Sequence, residues 1–241
     1  MSTVETTRVT VEARDGAMPC FLAEPVGDGP FPGVLVLMEA FGLVASIESV
    51  ARRIAAEGYV ALAPDLYYRE LPDDTASYDD LPRAMQLAGA LLRHGDAYAQ
   101  DVAAAIDFLE ARPRVARGRI GMTGFCMGGA LTFGSACLLP DRIAAAAPFY
   151  GGGIVRLLPL ADRIRCPLLL FFAERDAHIP LEQVREIEKR LGELGKEFLL
   201  QVYPGAEHGF FCEDRAAVYH PQAARDAWQK LKQFFASQLA L

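Results

Sequence analysis

Gly124-Phe125-Cys126-Met127-Gly128-Gly129 decides the fold of this chain. The stretch lies between a short extended run, Arg119–Thr123, and a run of helical character, Met127–Leu138, and it carries the spacing G-x-nucleophile-x-G of a nucleophile elbow, with Cys where Ser is usual. A strand that turns directly into a helix brings neighbouring backbone very close, so the flanking positions must be glycine. Cys126 then falls at a helix N-terminus, where the macrodipole and free N–H groups favour the thiolate, the reactive form. The Met127 backbone N–H would supply one donor of an oxyanion hole. The competing reading of Cys126 is an inert buried thiol behind a Gly-rich turn.

Working outward, the chain alternates strand and helix. Val9 and Val11, the Asp15-Gly16 turn and Pro19–Glu24 predict an opening β-hairpin. Gly33–Met38 is a continuous apolar run, the pattern of a strand covered on both faces. Ile47, Val50, Ala51, Ile54 and Ala55 recur at helical spacing, with Ser46 as the expected N-cap and Gly58 just past the end. Strand Tyr59–Ala63 follows, then an insertion at about 65–96 whose Arg83–Leu92 part regains helical character. Helix Ala97–Arg112 stops at Pro113. Beyond the elbow come strands Ile143–Phe149, Pro167–Ala173 and Glu197–Tyr203, with helices Leu181–Leu194 and Pro221–Leu239. Eight strands with intervening helices predict an α/β fold: a mostly parallel eight-stranded sheet with helices on both faces. No linker, repeat or composition shift divides the chain, so one domain over 1–241 is expected.

An elbow requires an acid and a base in the order nucleophile, acid, base. Asp176, in Phe171-Phe-Ala-Glu-Arg-Asp176-Ala-His-Ile-Pro180, follows the C-terminal end of a strand, where ligands gather in open α/β sheets. Glu174 competes with it but lies nearer the strand. His208, in Tyr203-Pro-Gly-Ala-Glu-His208-Gly, sits in the loop after the last strand and is the expected base. Of the other three histidines, His94 and His220 read as surface residues, and His178 follows the acid too closely to reach the nucleophile easily.

Composition bounds what this chemistry can act on. Hydrophobic residues make up 52% and charged residues 23%, and 24 Lys+Arg against 31 Asp+Glu give a net charge of −7. That excludes a disordered or collagenous chain and argues against nucleic acid or an anionic membrane as partner. Five cysteines, odd in number and without C-x-x-C spacing, predict reduced thiols, with Cys20, Cys137 and Cys166 as core residues. No H-x-x-x-H or H-E-x-x-H pair occurs, and neither metal nor cofactor is expected. The absence of an apolar leader or a 20-residue apolar run leads to the expectation of a cytoplasmic protein, monomeric or weakly dimeric.

Together with Leu37-Met-Glu39-Ala-Phe-Gly42, the Cys126, Asp176 and Tyr203-Pro-Gly-Ala-Glu-His208-Gly-Phe-Phe motifs resemble the dienelactone hydrolase family, a cysteine branch of the α/β-hydrolases. The resemblance spans nearly the whole chain and implies hydrolysis of a small-molecule ester or lactone by a Cys126, Asp176, His208 triad through an acyl-thioester. It implies that Glu39 contacts the resting thiol and shifts when substrate binds, so that the thiolate forms. It further implies Ala40 N–H as second oxyanion donor and Arg83 as holder of a substrate carboxylate; Phe41 and Tyr150 are pocket-lining candidates. Founding members carry a second carboxylate-binding arginine four residues after the histidine, where this chain has Cys212; Arg215 is the nearest replacement. A non-catalytic binding module and a redox-sensing thiol with Cys212 as resolving partner are the alternative functions.

Overall fold

The computed structural model describes residues 3–69 and 75–241. Its eight strands are β1 (Val4–Ala13), β2 (Gly16–Pro25), β3 (Phe31–Leu37), β4 (Val60–Pro64), β5 (Val115–Phe125), β6 (Ala145–Phe149), β7 (Leu168–Ala173) and β8 (Phe198–Tyr203). They form one sheet in the order β1-β2-β4-β3-β5-β6-β7-β8. β1 and β2 are antiparallel and β2 runs antiparallel to β4, whereas every later neighbour pair is parallel. The parallel centre explains the sequence pattern. Strands covered on both faces can present almost nothing polar, and β4, β6 and β7 are buried throughout.

Among the described residues six α-helices accompany the strands: α1 (Ala45–Ala56), α2 (Leu81–Arg93), α3 (Ala97–Glu110), α4 (Met127–Leu138), α5 (Leu181–Glu193) and, after the last strand, α6 (Pro221–Gln238). Helices cover both faces. On β5, Gly121 faces Phe235 and Leu239 at the end of α6, while its neighbour Ile120 lies with Gly33 against Leu109 of α3. Two buried hydrogen-bonded groups tie the start of the insertion down. Asp101 on α3 accepts from Tyr68 Oη (2.8 Å) and both guanidinium ends of Arg69 (2.5 and 2.8 Å), and Arg69 also reaches Asp15 in the β1–β2 turn (2.7 Å).

Several local expectations change. Val44, not Ser46, is the N-cap of α1 and makes no side-chain capping bond; the Ser46 hydroxyl instead pairs with the Tyr78 hydroxyl at 2.5 Å. β5 begins at Val115 rather than Arg119, because Val115 pairs with Phe31 across a register shift that the Arg117-Gly118 turn signal conceals. Ile154–Arg163 forms a 3-10 helix where none was expected. Within the insertion, α2 starts two residues before Arg83, capped by Asp80, whose carboxylate accepts the Arg83 N–H at 3.0 Å. Residues 70–74 of the expected insertion lie outside the described residues. His220 is no free surface residue but the N-cap of α6, accepting from Ala223 N–H at 3.2 Å.

Candidate active site

The elbow is built by close backbone approach. A Cβ on Gly124 would collide with the Gly128 carbonyl, and one on Gly128 with the carbonyls of Leu37 and Met38. Glycine therefore lets α4 start directly against β3 and β5. Cys126 pays for that turn with φ 54° and ψ −114°, a conformation that non-glycine residues rarely adopt. Its backbone is locked there by its N–H to the Phe149 carbonyl (3.1 Å) and by its own carbonyl accepting from Ala130 (3.2 Å). Its thiol is partly exposed, unlike those of Cys20, Cys137, Cys166 and Cys212, which are buried; all five are free. Met127 opens α4, so its N–H has no intrahelical acceptor.

The topology brings Asp176 and His208 together at the C-terminal end of the sheet. Asp176 Oδ2 lies 2.7 Å from His208 Nδ1, and Oδ1 accepts the backbone N–H groups of His178 (2.8 Å) and Ile179 (3.1 Å). The competing Glu174 is exposed and accepts from Gly205 N–H instead. Burial pulls His208 toward its neutral form; hydrogen bonds to Asp176 and Cys126, with the negative charge of both, outweigh burial and hold the imidazolium up to about 10. His178, set aside on sequence grounds, packs its ring edge-on to His208 with centroids 4.9 Å apart.

Glu39 follows β3 and is 1% exposed. Its Oε1 accepts from the Tyr150 hydroxyl at 3.2 Å, and its Oε2 is buried without a partner. Burial raises its carboxyl above the usual range, against the opposing pull of Arg215, His208 and the Tyr150 hydrogen bond. The Glu39 hydrogen bond thus goes to Tyr150 rather than to the Cys126 thiol. Tyr150, itself at φ 34°, links the groups: its hydroxyl serves Glu39 and its ring stands edge-on to His208 at 5.1 Å.

The loop after β3 is held from outside by residues that sequence reasoning missed. Tyr67, where β4 enters the insertion, donates its hydroxyl to the Ala40 carbonyl at 2.9 Å and lies 3.8 Å from Met127 Sδ, bridging the two segments that carry the expected oxyanion donors. Tyr78 stacks edge-on to Phe41 at 4.7 Å, receives the Cys212 thiol hydrogen bond at 3.4 Å and pairs with Ser46. Arg215 spreads over both rings, 5.3 Å from Phe41 and 5.8 Å from Tyr78. Arg83 stands on the first turn of α2, half-buried, with its guanidinium on Gln86 Oε1 at 2.9 Å. The only sequence signal for Tyr67 and Tyr78 was the unusual tyrosine content of the insertion.

A glycine-built strand-turn-helix elbow on a mostly parallel eight-stranded sheet, with an Asp–His pair at the same sheet end, has the architecture of the α/β-hydrolase class. The crystal structure of a provisionally assigned dienelactone hydrolase from Klebsiella pneumoniae subsp. pneumoniae superposes with a TM-score of 0.85 at 30% identity, covering 97% of this chain and 99% of that one. A Synechocystis protein provisionally named carboxymethylenebutenolidase is 37% identical, covering 98% of both chains. Protein usf of Aquifex pyrophilus is 34% identical, covering 89% of this chain and 91% of its own. The dienelactone hydrolase family model matches residues 18–239, and the chain belongs to that family, as a hydrolase. Among the described residues, no helix is long and apolar enough to cross a membrane.

Proposed function

We propose that the chain hydrolyses esters or lactones, in the manner the name carboxymethylenebutenolidase describes, with Cys126 as nucleophile, His208 as acid–base and Asp176 as its orienter. The observation that carries this reading is the Asp176–His208 pair, Oδ2 to Nδ1 at 2.7 Å, at the same end of the sheet as Cys126 on its strained turn. The thiolate attacks the carbonyl carbon, and the carbonyl π pair moves to oxygen, which Ala40 and Met127 N–H groups receive. Collapse expels the alkoxide, which takes a proton from His208. Neutral His208 then removes a proton from water as its oxygen attacks the thioester, releasing the carboxylic acid and restoring the thiolate–imidazolium pair. Cysteine favours esters, lactones and thioesters over amides, because the thiolate leaves the tetrahedral intermediate more readily than an amine.

Glu39 is proposed as the buried group that exchanges a proton with this pair. Arg83 and Arg215 are proposed to hold a substrate carboxylate; for Arg215 the support is its place over Phe41 and Tyr78, beside Glu39. The test uses p-nitrophenyl acetate and a panel of lactones with and without a carboxylate. Turnover is expected to fall by at least about 10³-fold in Cys126→Ala and His208→Ala. Mass spectrometry of quenched wild type should show an acyl adduct on Cys126. Turnover surviving both substitutions would refute the triad, and a substrate preference unchanged in Arg83→Ala and Arg215→Ala would refute the carboxylate site.

A further inference from the structure

The turn that carries the Ala40 N–H is tied down at each of its carbonyls. Gly42 N–H closes it on the Glu39 carbonyl at 3.1 Å, Ala76 N–H donates to Phe41 at 3.0 Å and Val44 N–H to Gly42 at 2.9 Å. The remaining carbonyl, that of Ala40, is held by a side chain: the Tyr67 hydroxyl donates to it at 2.9 Å. Among the described residues no hydrogen bond takes the Ala40 N–H, so a free donor sits on a residue whose own carbonyl is fastened. The same hydroxyl lies 3.8 Å from Met127 Sδ, on the residue that opens α4 with the second expected donor. Gly128, the next residue, already lets α4 approach the Leu37 and Met38 carbonyls directly. One hydroxyl therefore touches both segments whose N–H groups have to converge on a single oxygen.

Tyr67 is itself held in place. It is buried, and its N–H donates to Asp65 Oδ1 at 2.9 Å, while the Asp65 N–H donates to the Pro19 carbonyl on β2 at 2.8 Å. The two residues that follow, Tyr68 and Arg69, are fastened to Asp101 of α3. Burial, joined by the charges of Cys126 and Asp65, pushes the Tyr67 phenol above its usual range, so it stays a donor while the enzyme works. We propose that Tyr67 is the positioning residue of the oxyanion hole: its hydroxyl orients Ala40 so that the Ala40 N–H and the Met127 N–H meet the same substrate oxygen. It touches no reacting atom and acts through Ala40. The inference rests on the reading of Ala40 and Met127 as the oxyanion donors. Such donors must stand about 2.7–3.1 Å from the oxygen as it is placed in the transition state, not in the ground state. Loss of the brace therefore falls on the rate of acyl transfer and spares ester binding.

The experiment compares wild type with Tyr67→Phe, which deletes the hydroxyl and keeps the ring. Stopped-flow acylation is followed with p-nitrophenyl acetate and with its thionoester, whose sulfur accepts hydrogen bonds poorly. For the oxygen ester the acylation rate constant should fall about tenfold, short of the roughly 10²–10³-fold that follows outright removal of a donor, with the half-saturating concentration little changed. The thionoester should slow by less than about threefold, so the oxygen-to-sulfur rate ratio shrinks, which a general loosening of the fold would not produce. Alkylation of Cys126 by iodoacetamide displaces iodide at a tetrahedral carbon and forms no oxyanion; with one adduct verified by mass, it should keep its wild-type rate. Replacing Tyr67 by para-aminophenylalanine, whose N–H can donate to the same carbonyl, should restore the oxygen-ester rate. If Tyr67→Phe fails to fold, para-fluorophenylalanine, which fills the space of the hydroxyl without donating, takes its place. An unchanged oxygen-ester rate, oxygen and sulfur esters slowed in parallel, alkylation slowed together with acylation, or no recovery in the amino variant would each overturn the assignment. A wild type that is never acylated would refute the hydrolase reading, and the role of Tyr67 with it, before any variant is compared.

Discussion

Two buried carboxylates stand at the C-terminal edge of the same sheet, Asp176 after β7 and Glu39 after β3, and they are treated in opposite ways. Asp176 receives three hydrogen bonds, from two backbone N–H groups and the His208 ring, so its charge is fully met. Glu39 receives one long hydrogen bond from Tyr150 and keeps an orphan oxygen. A carboxylate held by three donors has one geometry, which suits an orienter. One that is half satisfied is costly to bury, and that cost fits the proton-carrying role proposed for Glu39. The position that would have supplied a cation, four residues after His208, is Cys212, whose thiol bonds to Tyr78 instead. Arg215 and His208 are the positive charges that oppose burial at Glu39.

The largest effect expected from this contrast is at Asp176. Asp176→Asn keeps the shape of the side chain but removes its charge and can present an amide N–H toward Nδ1, so turnover should fall on the order of 10³- to 10⁴-fold. The pH profile should change in a defined direction. In the proposed mechanism a protonated His208 is the general acid, so the alkaline decline of kcat/KM of wild type is expected as pH rises through about 10. With the Asp176 charge gone, one of the two partners holding the imidazolium is lost, and the alkaline limb should move toward the ordinary histidine value near 6.5. Stopped-flow acylation rates across pH 6 to 11 read both numbers. An unmoved alkaline limb in Asp176→Asn would break the comparison at its first member.

How much of this was visible in the sequence depends on the range over which each feature is determined. The elbow could be read because steric exclusion at Gly124 and Gly128 leaves a residue-level mark, and the parallel centre because burial on both faces forbids polar residues in β4, β6 and β7. Asp176 and His208 could be placed because each follows a strand end. What escaped was whatever depends on a partner far along the chain. Ser46 has the composition of a cap, but its hydroxyl is claimed by Tyr78, 32 residues away. Tyr67 meets the Ala40 carbonyl across 27 residues, and His178 meets His208 only because Asp176 gathers both. The 3-10 helix at Ile154–Arg163 was hidden by Gly151-Gly152-Gly153 and Pro159, which read locally as a loop. The Glu39 orphan could not be seen at all, since an unmet hydrogen bond has no sequence signature.

Glu39→Gln tests the second member of the pair and should separate stability from activity. Burial raises the Glu39 carboxyl, so the folded state binds its proton more tightly than the unfolded chain does. The stability this confers is therefore present at low pH and is lost as pH rises from the unfolded value near 4.5 through the folded one. Glutamine does not titrate and keeps the Tyr150 hydrogen bond. The variant should match wild type near pH 4 to 5 and exceed it at pH 8, by about 1–3 kcal/mol, the cost of an unmet buried polar group. Turnover should fall about 10- to 10²-fold, within the range of a lost proton-transfer partner. Thermal melts at several pH values check the first part. A variant less stable than wild type at pH 8 would show that Glu39 is a met structural charge like Asp176.

The smallest effect should come from Tyr78, which touches neither carboxylate but holds the loop on which Glu39 sits. Its ring packs on Phe41 while its hydroxyl joins Ser46 of α1 to Cys212 of the histidine loop. Tyr78→Phe keeps the ring contact and deletes the hydroxyl, leaving Ser46 and Cys212 to find water; two part-buried neutral hydrogen bonds are worth about 1–2 kcal/mol together. Because Phe41 follows Ala40 directly, loosening this junction should blur the expected oxyanion donor and lower kcat about two- to fivefold, with KM for uncharged esters little changed. Asp176 is braced by its own loop, so the alkaline limb set by His208 should stay where it is. A shift of that limb in Tyr78→Phe would mean that the two carboxylate regions are mechanically coupled through Cys212 rather than independently held.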